Sequence, residues 1–398
     1  MKSGIATFPL DYGRCPKWLF ERMKKLARSI TMAVVEEFGA REFLRRLSDP
    51  VWFQSFGCVL AFDWNSSGLT TTTMAALKEG LRGLENDLKI FICGGKGKTS
   101  RRTPEQIQSW GEFLNWSQQK IDQLVYVSKI SAKVDNSLLQ DGFQIYHHNL
   151  IFTNSGEWSV LQQGMAPEIQ KARRYHWLSQ RINNLIEEPH SGIASEIKVK
   201  PLNLTAKESD KNREISVSQV KEEPKTFLKN LKIIQEKISF SSQQSFFLET
   251  NLVKKRKVGK FTEMKLKNIE FHWHPVLKER FDLKRLKKII EKAHFFKPEN
   301  FEELLSVEGV GPKTIRALSL VSEIIYGAKP SFEDPARYSF AHGGKDFTPY
   351  PVDRKTFNKT IEILEKGIQK SKISLKEKLE AQRRLNSFYK KIKEGKKN

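Results

Sequence analysis

Leu304-Leu305-Ser306-Val307-Glu308-Gly309-Val310-Gly311-Pro312-Lys313-Thr314-Ile315-Arg316-Ala317-Leu318 reads as a helix, a tight glycine turn and a second helix. Asn300 and Glu303 have capping-box spacing for the first helix, and Pro298 breaks the chain just before it. Gly309 and Gly311 supply positive-φ freedom and close backbone approach in the turn. Pro312 suits the first turn of the second helix, where its missing N–H costs nothing. Ile315, Leu318, Val321 and Ile325 follow three or four apart, so one face is apolar. Free amides of Val310, Gly311 and Lys313 at such a helix start suit an anion, and Lys313, Thr314 and Arg316 add donors. The turn is expected to hold a DNA backbone phosphate.

The rest of the chain agrees with a polyanionic partner. Its 398 residues carry 69 basic against 46 acidic side chains, a formal charge of +23, which favours nucleic acid. No apolar run approaches the roughly 18 residues of a membrane-spanning helix, and the N-terminus lacks the apolar core of a signal peptide. Cys15, Cys58 and Cys93 are odd in number and widely spaced, which supports neither a disulfide framework nor a zinc site. These features predict a cytoplasmic, intracellular protein associated with the nucleoid, with no membrane partner. A homodimer is compatible with them, though no residue demands it.

Leu19, Met23, Leu26, Ile30 and Val34 keep a helical period until Gly39 stops it. The apolar run Cys58 to Phe62, ending in Asp63, is short enough for a buried strand. A second run, Leu88 to Cys93, enters the basic loop Gly94-Gly95-Lys96-Gly97-Lys98-Thr99-Ser100-Arg101-Arg102. That loop is not a nucleoside-triphosphate P-loop, because Ile92 stands where the first glycine is required. Lys96, Lys98 and Arg101 suit a nucleic-acid phosphate instead; a solvated flexible loop is the alternative. Thr103-Pro104 starts the next helix. Strand–helix–strand–helix order predicts an α/β (α+β) N-terminal domain with a mixed sheet.

Phe143 to Thr153 and Trp158 to Gln163 read as a hairpin across Asn154-Ser155-Gly156. His147, His148, Gln162 and Gln163 lie inside those strands, and adjacent histidines must face opposite sides. Asp63, Asp141 and His148 are the expected ligands of a divalent metal, Mg²⁺ or Mn²⁺, with His147, Gln162 and Gln163 completing a phosphodiester-hydrolysing site. Satisfied polar residues on a sheet are the competing reading. Arg173 and Arg174, beside Tyr175, His176 and Trp177, suit nucleic-acid contact. The divisions expected are an α/β domain over 1–192, a basic, partly helical bridge over 193–270, and an all-α DNA-binding domain over 271–398. The two-helix motif occupies 300–326 of the last.

Two resemblances add to this reading. Gly4-Ile5-Ala6, Phe62-Asp63-Trp64, Cys93 to Lys98, Gln162-Gln163-Gly164-Met165, Ala172 to Trp177 and Phe340 to Asp346 resemble an archaeal and bacterial family, domain of unknown function 763. The C-terminal stretch, Val307 to Thr314 followed by Pro351-Val352-Asp353, resembles the helix-hairpin-helix–Gly/Pro–Asp class of DNA glycosylases. That second resemblance implies Lys313 as the group attacking the sugar and Asp353 as the carboxylate stabilising positive charge. Their separation of 40 residues is wider than the class uses.

Three functions follow: a structure-selective, metal-dependent DNA nuclease, a base-excision glycosylase or abasic lyase acting through Lys313 and Asp353, and a non-catalytic DNA-binding protein. The nuclease leads, because only it employs the polar residues of the first 180 positions.

Overall fold

The computed structural model describes residues 10, 15–60, 66–240, 257–258, 261–262, 281–336, 354–371 and 373–394. The chain opens with α1 (Lys17–Leu47), whose Leu26, Ala27, Ile30 and Val34 bury one face. Gly39, at φ +82° and ψ 161°, interrupts the helix as its sequence position suggests, and two helical segments meet there across a kink. Asp49 caps α2 (Pro50–Val59) by accepting from Val51 and Trp52 amides at 2.8 and 3.0 Å. The apolar run expected as a strand therefore begins as the last turn of a helix. Because α2 is buried all round, its hydrophobic pattern has no period from which strand and helix can be told apart.

After α3 (Gly68–Leu81) and the single turn α4 (Glu85–Leu88) comes β1 (Ile90–Lys96). Two helices, α5 (Thr103–Phe113) and α6 (Gln118–Ser137), and the short β2 (Leu139–Gln140) precede β3 (Gln144–Thr153). Then follow β4 (Trp158–Ala166), β5 (Lys171–Leu178), β6 (His190–Ser195) and β7 (Leu202–Asn203), which pairs with β2. The main sheet has five strands in the order β1-β3-β4-β5-β6. Every neighbouring pair is antiparallel, so this sheet is not mixed as expected.

Helices cover both faces. On one, Phe91, Leu150, Phe152 and Trp177 join a core with α6 and with α7 (Asp210–Lys221), α8 (Pro224–Phe240), α9 (Leu283–Phe296), α10 (Phe301–Ser306) and α11 (Pro312–Tyr326). On the other, Ile90, Ile92, Ile151 and Leu161 join α1, α2, α3, α12 (Arg354–Lys370) and α13 (Leu375–Glu394). A small pair, β8 (Lys257–Val258) with β9 (Phe261–Thr262), stands apart from this sheet.

The segment that follows β5 packs onto both the sheet and the later helices. Ile193, Ala194 and Ser195 already belong to β6, paired with β5. In α7, Asn212 Nδ2 donates to the carbonyls of Ser319 and Ala328 at 3.1 and 2.6 Å, locking the polar "bridge" onto α11. The helices after residue 281 separate as well: α9–α11 lie on one face of the sheet, and α12–α13 on the other.

Candidate functional site

The glycine turn forms as the pattern predicts. Asn300 caps α10 by accepting from the Glu303 amide at 2.9 Å, and Glu303 in return accepts from the Glu299 amide at 2.8 Å. Gly309 has φ +89°, and α11 starts at Pro312 with Gly311 as its cap. Gly311 itself is extended at φ −149°, and a Cβ there would meet nothing within 4 Å. The fold thus requires glycine at 309 but leaves open space beside 311. Val310 donates its amide to Val307 O at 3.2 Å, so that amide is not available to a ligand as expected. Lys313 is exposed, Thr314 is buried, and Arg316 is half-buried with Nε donating to Gln140 Oε1 at 2.5 Å. Lys133 reaches the carbonyls of Leu305 and Val307 at 2.6 and 3.1 Å, holding the turn against α6.

The polar residues of the sheet form two rows, one on each face. Strand register aligns His148, Gln162 and Tyr175 toward α6, and His147, Gln163 and Arg174 toward α1–α3. In the first row Gln162 Nε2 donates to Asp135 Oδ2 at 2.5 Å, leaving its Oε1 to accept from His148 Nδ1 at 3.0 Å. His148 Nε2 then accepts from Ser128 Oγ at 2.9 Å. Asp135 also accepts from Trp177 Nε1 at 3.1 Å and meets His190 Nε2 at 2.5 Å. Burial holds His148 below the ordinary imidazole range, in keeping with this neutral tautomer. Close to the same face, Asp141 accepts from Arg173 Nη1 at 2.9 Å, Tyr175 Oη at 2.7 Å and the Phe143 amide at 3.0 Å.

Those bonds occupy both nitrogens of His148 and both oxygens of Asp141, which is a poor donor set for a divalent ion. Among the described residues no group of three His, Cys, Asp or Glu side chains is placed to hold a metal. Asp63 and Asp353 lie outside the described residues. Arg173 and Arg174, expected at a nucleic-acid surface, are instead fully buried. Arg173 bridges Asp141 and Asp334, the latter at 2.8 Å from Nη2. Arg174 donates to His176 Nε2 at 2.8 Å and to Gln54 Oε1 at 3.1 Å, and burial brings its guanidinium down to about 9. Two arginines beside aromatics looked like a DNA contact because sequence spacing does not record burial.

At the β3 end of the second row, His147, with Asn149 two residues on, lines a cavity of about 1120 Å³ bounded by the start of α1, α3, β1 and β3. His147 has only 1% of its surface exposed, and apart from a weak contact with the Asn149 side chain neither ring nitrogen has a hydrogen-bond partner. Burial, aided by neighbouring His148, depresses it to about 3, so it is neutral at physiological pH. Asn149 donates Nδ2 to Cys93 O at 2.9 Å and leaves Oδ1 without a partner. Gln163 donates to Ser67 O at 2.9 Å and Tyr146 Oη at 2.5 Å, leaving its own Oε1 unbonded. Lys78 Nζ donates to Gly94 O and Gln106 Oε1 at 2.8 and 2.9 Å, and Gln106 accepts from the Gly94 amide at 2.8 Å. Lys96, Lys98 and Arg101 stay exposed along the rim and the adjoining loop. Sequence reasoning found His147 and the basic loop but missed Lys78, Gln106 and Asn149. The glycine-rich loop after a strand was the only local signal of their meeting place.

Gly94 shows how tight that loop is. It sits at φ +90°, and a Cβ would fall 2.1 Å from His148 O. Gly94→Ala is expected to lower stability by about 2 kcal/mol or more, read from the urea midpoint. Gly97→Ala, at φ +59° in open space, is the control and should cost about 1 kcal/mol.

Taken together, these features define a mixed α/β protein whose antiparallel sheet lies between two helical layers and carries a polar row on each face. The chain belongs to the family described as protein of unknown function (DUF763), whose profile matches residues 4–352. No curated protein and no solved structure gives a significant match.

Proposed function

We propose that this chain is a DNA-binding protein of DNA repair or processing, gripping backbone phosphate at the turn between α10 and α11. The carrying observation is Gly311: its backbone needs no glycine, yet the missing side chain leaves open space at the start of a 15-residue helix. A phosphate can approach that helix end closely, where the dipole favours it. Lys313 is exposed on the same first turn, and the net charge of +23 supplies long-range attraction. Phe295, 89% exposed, and Phe296 share a face of α9 with Lys292, which pairs with Glu308 of the turn. Exposed aromatics there suit stacking on unpaired bases.

Lys313→Glu is expected to weaken duplex binding about tenfold and to reduce the dependence of log K on log salt by about one ion. Fluorescence anisotropy at several salt concentrations measures both, and an unchanged salt slope would overturn the phosphate grip.

The nuclease version of this function takes Asp63 as its ligand and places the chemistry on the sheet side. Products from a panel of duplex, single-stranded, bubble and lesion-bearing DNAs with magnesium, manganese or EDTA test it. Exposure of Lys313 at the helix start favours a second reading, the glycosylase or lyase with Asp353 as partner. Borohydride trapping of a covalent adduct that Lys313→Ala abolishes would establish that version, whereas base release without trapping would confine it to a monofunctional glycosylase.

A further inference from the structure

The cavity beside β1 and β3 has two chemically different walls. Phe20 of α1 and Met74 of α3 supply an apolar side. On the opposite side His147 and Asn149, both buried, line the cavity, and beyond the contact of the two side chains with each other nothing in the protein satisfies the imidazole nitrogens or the Asn149 Oδ1. Buried polar groups are normally bonded, and an unbonded one costs about 1–3 kcal/mol, so their arrangement calls for a partner from outside. A neutral imidazole offers one donor and one acceptor, and the Asn149 Oδ1 offers an acceptor. Lys17 and Lys96 stand exposed at the rim.

A matching ligand has a flat apolar body, an edge carrying both donors and acceptors, and a negative charge set to one side. We propose that this cavity binds a nucleotide unit, with the base between the Phe20–Met74 wall and the polar pair of His147 and Asn149, and the phosphate toward Lys17 and Lys96. A volume of about 1120 Å³ is ample for one nucleotide. A free mononucleotide and a nucleotide extruded from DNA share this chemistry. The site stands independently of the turn at α10–α11, which contributes none of its residues.

Calorimetric titration of the full chain with each 5′-deoxynucleoside monophosphate is expected to show one-to-one binding of at least one, with Kd below about 1 mM. The corresponding nucleoside and inorganic phosphate should each bind at least about tenfold more weakly, because each lacks half of the recognised groups. His147→Ala removes a recognition group and Ala75→Trp fills the cavity from α3 without altering its polar wall. Both should lose about tenfold or more, and Ala75→Trp, at an exposed position, should melt as the parent does. If no nucleotide binds, if phosphate alone binds as well, or if both cavity variants keep full affinity, the proposal fails. Duplexes carrying 2-aminopurine separate the two sources. A fluorescence increase that His147→Ala and Ala75→Trp both abolish assigns the cavity to a base extruded from DNA. Competition by free nucleotide without any such increase assigns it to the soluble ligand.

Discussion

Replacing Arg173 by methionine is expected to destabilise the fold by about 3–5 kcal/mol, the largest effect of any single change considered. Arg173 is fully buried between two carboxylates, Asp141 at 2.9 Å and Asp334 at 2.8 Å. Burial works against its charge, but Asp141, Tyr175 and Asp334 together overcome that and raise the guanidinium above its ordinary range. Removing the cation leaves two buried carboxylates facing each other. Asp334 also accepts from the amides of Val199 and Ala336, both at 2.9 Å, so the same loss loosens the segment after α11 from the sheet. Changing Asp141 and Asp334 to asparagine in the same chain should recover much of the loss, since a neutral set carries no uncompensated charge. Urea unfolding of the parent, Arg173→Met and the triple variant measures this. A loss below about 1 kcal/mol in the single variant would contradict it.

Acidification should be nearly as damaging, and histidine is the cause. Burial lowers His147, His148 and His176 relative to free imidazole, with His147 falling from 6.5 to about 3. The unfolded chain therefore takes up protons below about pH 6.5 that the folded chain refuses. Stability is complete above that pH and falls as pH drops through the window toward 3. For His147 the loss at pH 5 is about 2 kcal/mol, 1.5 pH units at roughly 1.4 kcal/mol each. His148 and His176 add to it in the same direction. His147→Asn should remove the share of His147, so its urea midpoint should fall less between pH 7 and pH 5 than the parent's. Equal falls in the two proteins would show that His147 takes up its proton in the folded state.

Residues close together in the chain made much of the architecture legible. The two helices around Gly309 and the hairpin of β3 and β4 follow from caps, turn residues and periodicity, all of which act over a few positions. The opposite facing of His147 and His148 follows from the two-residue period of a strand. Misreadings arose where burial is complete. In α2 burial on every side, of Gln54 and Ser55 as well as the apolar residues, erased the helical period, and the polar composition of α7 concealed Asn212 and Gln219, which are buried against α11.

The site divides along the same line. Composition and the Gly-x-Gly turn set out, by themselves, a basic chain with two helices joined at a glycine turn, because charge and backbone freedom are properties of single residues. Tertiary structure alone decided the fate of the polar residues. Asp141, His148, Arg173 and Arg174 are residue types that bind metals and nucleic acids, yet each is enclosed by partners from distant segments. His147, one position from His148, is left at a cavity wall with no polar partner for its nitrogens beyond a weak contact with Asn149. Partner and solvent access are set by what the fold brings alongside, and strand register, which sends neighbouring side chains to opposite faces, gave these two histidines their different surroundings.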